Sequence, residues 1–482
     1  LRQHRQQAQR RRPPGQNVVA ENDIQEARRS SMGSSIQQAV TQIKRDVGKA
    51  LDSETVDGIC RAMGYGWRRR ELDPTATLQG FLLQILHGNT ACSHVPRLLG
   101  KDVTAKAYGL ARRRLPLEVF QRLLAIICGR LGECVDDTGR WLGHRVWVMD
   151  GSGCSMPDVP ELQKAFGQPS MQRAGCGFPV AHLMVLFHVG TGMLMRIAVA
   201  PLRTADMALA KHVHGELQRG DIVLADRAFG SFSHLAALAA AGAYGVFRIQ
   251  QSRIVNFRQG RLYLPSGCHK RRLQKMPSTR WIKRLGPHDQ IVEYIKPKIC
   301  PSWLTPEEWS HVPSVILVRE LRYSLTATGY RSRTVTLMTT LLDAGRYPAK
   351  AIAALYGQRW QVETNLRHLK VTLGLDVLHT KSVDGIYKEL AMFAIAYNLV
   401  RLVMLEAATR QGVPSKRISF VDALRWLRDA GLNTPLTPLI VLPERPGRCE
   451  PRVRKRRPKN YPAMKKPRCV LTQALWSKGV ST

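Results

Sequence analysis

The sequence predicts a mixed α/β protein with a helical amino-terminal unit, a central sheet alternating with helices, a β-rich insertion and a basic tail. Three observations predict this. Residues 36–140 carry apolar side chains at three-to-four spacing with few β-branched runs. Near residue 144 the pattern changes to short apolar segments bounded by Asp-Gly and Gly-Thr-Gly turns, and beyond these, strand-like and helix-like segments alternate. The chain has 482 residues, more than one ordinary domain, and its 44% hydrophobic content suffices for a substantial core.

Residues 1–30 are basic and polar and are expected to form a disordered arm. In the helical unit, 31–140, TLQGFLLQILHG precedes a turn at Gly88-Asn89, followed by SHVPRLLG and KAYGLARRRLPLEVFQRLL. Arg112, Arg113 and Arg114 suggest a basic helix face that meets a polyanion. HRVWVMDGSG then reads as a strand ending in an Asp-Gly turn. FPVAHLMVLFHV and MLMRIAVAPL form a hairpin through Gly190-Thr191-Gly192. A helix closed by Gly220, the strand in DIVLADRAFG, a helix closed by Gly242 and the strand YGVFRIQ complete residues 141–250. Three strands, helix, strand, helix, strand is the ribonuclease H-like (retroviral-integrase-like) layout. Residues 251–335 are short, alternating and basic, and read as an inserted β-rich subdomain with TVTLMTTLL as its exit strand. Helices resume at Pro348 and end the second part of the core, 336–430. In the tail, 431–482, Arg445 to Arg468 holds eleven Lys or Arg with Glu450 the one acid, and five prolines there oppose a helix.

Lys and Arg number 73 against 36 Asp and Glu, a net charge of +37. Such a field draws polyanions, nucleic acid above all. The basic residues are spread through globular sequence, which disfavours a membrane-surface helix, and no membrane partner is expected. The first sixteen residues lack a signal-peptide apolar core. The apolar run Leu390–Ala408 is interrupted by Tyr397, Asn398, Arg401 and Glu406 and reads as a buried helix. None of the ten cysteines is in a C-x-x-C pair, so reduced thiols and a cytoplasmic, nucleoid-associated setting are expected.

Asp150 and Asp226 each end an apolar strand at a turn, held by rigid backbone yet open to solvent, as a metal site requires. In ALYGQRWQVETNLRHLKVTLGL, Tyr356, Arg359, Glu363, Arg367 and Lys370 fall at −7, −4, 0, +4 and +7 around the glutamate, one stripe of a helix. Leu355, Val362, Leu366, Leu369 and Leu373 form an apolar stripe beside it. Three carboxylates suit hard divalent cations better than Cys or His sites would. His182 and His188 read as core histidines. Asp206, after Thr204, reads as a residue capping or charging a helix start. His212, His214 and Glu216 show no ligand spacing, and Cys268-His269 is an isolated pair.

These residues resemble the bacterial insertion-sequence transposases with a DDE triad, the IS-four family. Its signature of Tyr, two residues, Arg, three, Glu, six, Lys is kept by Tyr356, Arg359, Glu363 and Lys370. DGS at 150–152, ADR at 225–227, ARRRLP at 111–116 and KRRPKNYP at 455–462 extend the likeness over roughly residues 36–470. The resemblance implies that Asp150, Asp226 and Glu363 bind two Mg²⁺ ions, with Mn²⁺ able to substitute. Tyr356, Arg359, Arg367, Lys370 and Arg227 would contact DNA. It further implies cut-and-paste transposition, with water exposing a 3′-OH that attacks target DNA, in some members through a hairpin end. Double-stranded DNA (terminal inverted repeats and target) and a homodimeric synaptic complex would be the partners. Trp281 and Trp303 in the insertion are both candidates for stabilising a flipped base. The competing expectations are a catalytically inactive DNA-binding relative or inhibitor, and another ribonuclease H-like nuclease.

Overall fold

The computed structural model describes residues 32–477 except 69, 138, 265–275, 325–333, 430–433 and 445–463. The expected amino-terminal arm, most of the basic tail with KRRPKNYP, and Cys268-His269 lie outside the described residues.

The amino-terminal unit is helical: α1 (Met32–Ile43), α2 (Arg45–Lys49), α3 (Ser53–Ala62), α4 (Pro74–Leu86), α5 (Val95–Leu99), α6 (Ala105–Arg114) and α7 (Leu117–Asp137). Asp52, Asp73 and Thr104 open α3, α4 and α6 by accepting the backbone N–H of Thr55, Ala76 and Ala107, which satisfies donors the first turn leaves unpaired. Helix α4 is buried almost all round and forms the middle of the bundle. The three-arginine face expected on α6 is only partly a surface. Arg112 is buried, its guanidinium 3.6 Å from the centroid of the Phe81 ring and donating to Gln84 Oε1 at 2.8 Å. Successive residues on a helix point about 100° apart, so three in a row cannot share one exposed face. Arg113 and Arg114 remain exposed.

Nine strands form one sheet: β1 (Val146–Ser155), β2 (Val180–His188), β3 (Leu194–Pro201), β4 (Ile222–Ala225), β5 (Tyr244–Arg248), β6 (Thr279–Gly286), β7 (Asp289–Ile295), β8 (Val315–Ser324) and β9 (Thr334–Thr339), in the order β3-β2-β1-β4-β5-β9-β8-β7-β6. Strands β1, β4 and β5 run parallel, and every other pairing is antiparallel. The chain visits β1, β2 and β3, then α9 (Asp206–Lys211), β4, α10 (Phe232–Ala240) and β5. Strand β4 is buried throughout because neighbours cover both faces, which explains its unbroken apolar run. The strands at 279–324 continue the same sheet: β9 pairs with β5 on one side and β8 on the other, so the edge of β5 is covered.

The start of β1 is tied to the start of β4. Arg145 donates Nε and Nη2 to the two carboxylate oxygens of Asp221 at 2.8 and 2.7 Å, and Trp147 Nε1 donates to Asp221 Oδ2 at 2.9 Å. Both charges are buried, so the pair is bidentate and shielded from water.

Helix α14 (Val383–Gln411), the long apolar helix after the glutamate segment, is buried over nearly all of the expected core run, including Tyr397 and Asn398. Asn398 caps β3 by accepting from Leu194 N at 2.9 Å and donating to Leu194 O at 2.7 Å. Glu389, fully buried on the same helix, accepts from the backbone of His379 and Thr380, the Thr380 hydroxyl and Asn89 Nδ2. It thereby ties the Gly88-Asn89 turn of the helical unit to the loop that follows the glutamate segment. Beyond the tail prolines a short helix, Arg468–Trp476, does form. It starts directly after Pro467, the last of the five prolines, and most of the Pro-rich stretch before it lies outside the described residues.

Removing one partner of a buried ion pair strands the other, so Asp221→Ala is expected to lose about 3–5 kcal/mol of stability in urea unfolding, with Asp221→Asn losing less. Acid should act through a different set. Burial lowers the imidazoles of His214, to about 4, and His234, to about 3, below the ordinary 6.5. Their Nε2 atoms meet at 3.0 Å, and His234 Nδ1 lies 2.9 Å from Phe229 O. The unfolded chain binds protons that the folded chain cannot. This contribution is therefore complete above the ordinary histidine pKa and shrinks as pH falls through it. The urea midpoint is expected to drop between about pH 7.5 and 5, and His234→Phe with His214→Leu should flatten that drop.

Candidate active site

Register determines where the two aspartates fall. Val148 pairs with Leu224, and Ala225 with Phe247. Continued along the extended chain, these ladders put Asp150, Asp226 and Arg248 at one level on three adjacent parallel strands. Asp226 keeps extended dihedrals (φ −76°, ψ −179°) just past β4, and so continues the strand direction. Residues at one level of parallel strands project to the same face, so both carboxylates emerge together where the parallel pairing of β1 with β4 runs out; β1 itself continues to Ser155 against β2, which corrects the expected Asp-Gly turn at Asp150.

Glu363 reaches this face from α13 (Gln361–Arg367), which follows α12 (Ala349–Gly357) and a 3-10 turn at Gln358–Trp360 and packs against β1. Val362, Leu369 and Leu373 are fully buried and Leu355 nearly so; this apolar stripe turns the glutamate outward, where its side chain is half exposed. Arg359 Nη2 lies 3.3 Å from Glu363 Oε1, and Tyr356 OH donates to Ala225 O at 3.4 Å, beside Asp226. Arg227 Nε is 4.0 Å from Asp226 Oδ1. The signature stripe does not continue as ideal helix. Residues His368–Thr372 form a π-turn, a distortion often found at functional sites. Lys370 consequently pairs with Asp376 at 2.9 Å and acts on Cys154, four residues along β1 from Asp150. Arg367 is exposed on the same segment.

The acids act on one another. Burial pushes Asp150 up to about 6; the Gly151 N–H, 2.9 Å away, and Arg359 oppose this, whereas Asp226 and Glu363 raise it further. Three carboxylates offer hard oxygen donors of the kind that suit a divalent cation, and Arg227, Arg248 and Arg359 stand among them. Among the described residues no group of three or more His, Cys, Asp or Glu side chains is assembled to hold a metal ion, and Glu363 pairs with Arg359 instead.

Other residues at the site were not legible in the sequence. Arg248 is level with Asp226, and Arg248 and Tyr323 both act on the Tyr356 phenol, whose pKa is raised mainly by burial. Asp206 stands in the first turn of α9, as expected of a residue charging a helix start, while the cap residue itself is Ala205. Asp206 Oδ1 meets His182 Nε2 at 2.9 Å, while His182 Nδ1 lies 2.8 Å from Thr204 O. His182 is therefore a charge-paired residue beside the site, its pKa raised first by the hydrogen bond to Asp206. This pair fills the space beside Gly151 of β1: a Cβ on Gly151 would stand 3.0 Å from Asp206 Oδ1 and 3.4 Å from His182 Nε2. His188 is fully buried and bonded to Thr191, as expected of a core histidine. Trp281 lies on edge strand β6, with a buried indole N–H that has no partner among the described residues, and Trp303 lies in the connection before the Pro306–His311 helix.

Residues 141–399, more than half the chain, match the family model for the transposase DDE domain, and the chain belongs to that family. It is 24% identical over 375 residues to the transposase InsG for insertion sequence element IS4 of Escherichia coli strain K12, a match covering 74% of this chain and 77% of that relative. The chain is thus an IS4-family DDE transposase, an enzyme that cleaves DNA and transfers strands. A cryo-EM structure of the piggyBac transposase synaptic complex with hairpin DNA aligns at TM-score 0.43 and 11% identity over 80% of this chain and 79% of that one, too loose a likeness to carry an argument.

Gly151→Ala is expected to press the new methyl onto the His182–Asp206 pair, costing about 1–3 kcal/mol and slowing DNA cleavage. Adding Asp206→Ala removes the atom it strikes and should recover part of both losses, measured by thermal melts and nicking rates.

Proposed function

We propose that Asp150, Asp226 and Glu363 are the catalytic carboxylates of a cut-and-paste transposase with a ligand site where the parallel pairing of β1 with β4 runs out in a ribonuclease H-like sheet. The observation that carries this reading is the shared level of Asp150 and Asp226, together with the electrostatic effect of Asp226 and Glu363 on Asp150. The three would hold two Mg²⁺ ions, with Mn²⁺ able to substitute; such a pair activates the attacking oxygen and stabilises the leaving one. Arg359 holds Glu363 in the free protein and is placed to donate to a phosphate oxygen once DNA draws the guanidinium away. Tyr356 is buried with its phenol against the backbone of Ala225, and so ties α12, which leads through the 3-10 turn into the helix carrying Glu363, to the end of β4 just before Asp226. Arg227, Arg367 and Lys370 line the approach as phosphate contacts, and Lys370 would leave Asp376 to reach DNA.

The substrates in this reading are the element's terminal inverted repeats and target duplex, held by a homodimer that joins two ends. Water cleaves first, and the freed 3′-OH then attacks target DNA. Residues 31–140 would bind DNA, and the basic tail would strap along phosphates.

Labelled element-end duplex incubated with Mg²⁺ is expected to be nicked by the wild type. Asp150→Ala should slow nicking on the order of a thousandfold while DNA affinity is retained. Chelation of the divalent ion should have the same effect. Triad-independent nicking, or binding with no cleavage under any divalent ion, would refute the assignment.

A further inference from the structure

A second recognition site lies in the helical unit, away from the carboxylates. The connection from α3 to α4 runs along a groove of about 360 Å³ lined by Tyr65, Trp67, Arg68, Arg70, Thr77 and Arg114, among others. The Tyr65 and Trp67 rings lie nearly parallel, 15° apart with centroids 6.2 Å from one another. Gly66 between them faces open space. Each ring is packed by one side against the core and remains partly open. Arg61, at the rim, sits 5.8 Å from the centroid of the Trp67 ring and pairs with Asp57 at 3.8 Å, whereas Arg68, Arg70 and Arg114 line the groove itself and are exposed. Among the described residues no acidic side chain lines the groove. Asp73 beside it is spent on the Ala76 N–H of α4.

Half-open aromatic rings cost free energy unless something covers them, and arginines without acidic neighbours in the groove call for an anion. A nucleotide supplies both a flat π-face and a phosphate. In an intact duplex each base is covered by its neighbours, so ring stacking reaches only a base that has left the stack. The volume suits a base and is far too large for an ion or a single water. We propose that this groove binds an unpaired nucleotide of the DNA substrate, the base stacking on Tyr65 or Trp67 and the flanking phosphates on Arg61, Arg68, Arg70 and Arg114. The proposal rests on DNA being the substrate and not on the carboxylate assignment.

The full-length protein without divalent ion would be titrated against a blunt fluorescent duplex and the same duplex carrying a short single-stranded overhang. Tighter binding of the overhang form is expected. Trp67→Ala or Tyr65→Ala should lose about tenfold or more of that advantage, leaving blunt-duplex affinity unchanged. Trp67→Phe keeps a ring and should restore it, which guards against misfolding. Equal affinity of the wild type for both duplexes, or equal loss on both in Trp67→Ala, overturns the proposal. Asp150→Ala should keep the overhang preference, so failure of the groove and failure of the catalytic reading give different results.

Discussion

The buried bond between Arg145 and Asp221 does more than close a gap. It joins the amino-terminal ends of two parallel strands, with Trp147 donating to the same carboxylate. Parallel ladders are evenly spaced and slide easily in principle, and a one-residue slip would move every side chain to the opposite face. A charge pair at the base of both strands forbids that slip, because it would leave two ions buried and unmatched. Five residues beyond each anchor stand Asp150 and Asp226. The distance from anchor to acid is equal on both strands, so alignment at one end becomes alignment at the other.

The active face balances opposing charges without neutralising them. Asp150 is held up near 6 by burial and by its two acidic neighbours, and Glu363 leans on Arg359. Arginine cannot give up its proton, so it remains a permanent counter-charge where a lysine could have neutralised. DNA bound near such a face brings further negative charge, and this favours a site that is cation-hungry on one side and arginine-lined on the other.

Much of this was legible in the sequence. The strand end at Asp226 follows from an apolar run that stops before Arg227, whereas Asp150 is mid-strand: β1 runs on to Ser155 because β2 keeps pairing with the Gly-Ser-Gly stretch that read as a turn. The order of segments follows from periodicity, and the outward aim of Glu363 from the leucine stripe beneath it. What stayed hidden depends on partners distant in the chain. Arg248 became a site residue only through register with Asp226. Asp206 looked like a cap because its companion His182 lies on another strand. Arg112 looked like surface because Phe81 and Gln84, which receive it, belong to another helix. The π-turn at His368–Thr372 displaces Lys370 from the ideal stripe, and no local propensity signals it.

Glu389 has a mechanical consequence. Its carboxylate is gripped by donors from the helical unit and from the loop behind Lys370, with Gly374 backed against the carbonyl of Gly88. Because one buried carboxylate serves both, a shift of the Gly88-Asn89 turn would be felt at His379 and Thr380, and the helical unit and the sheet domain share a single polar anchor at this point.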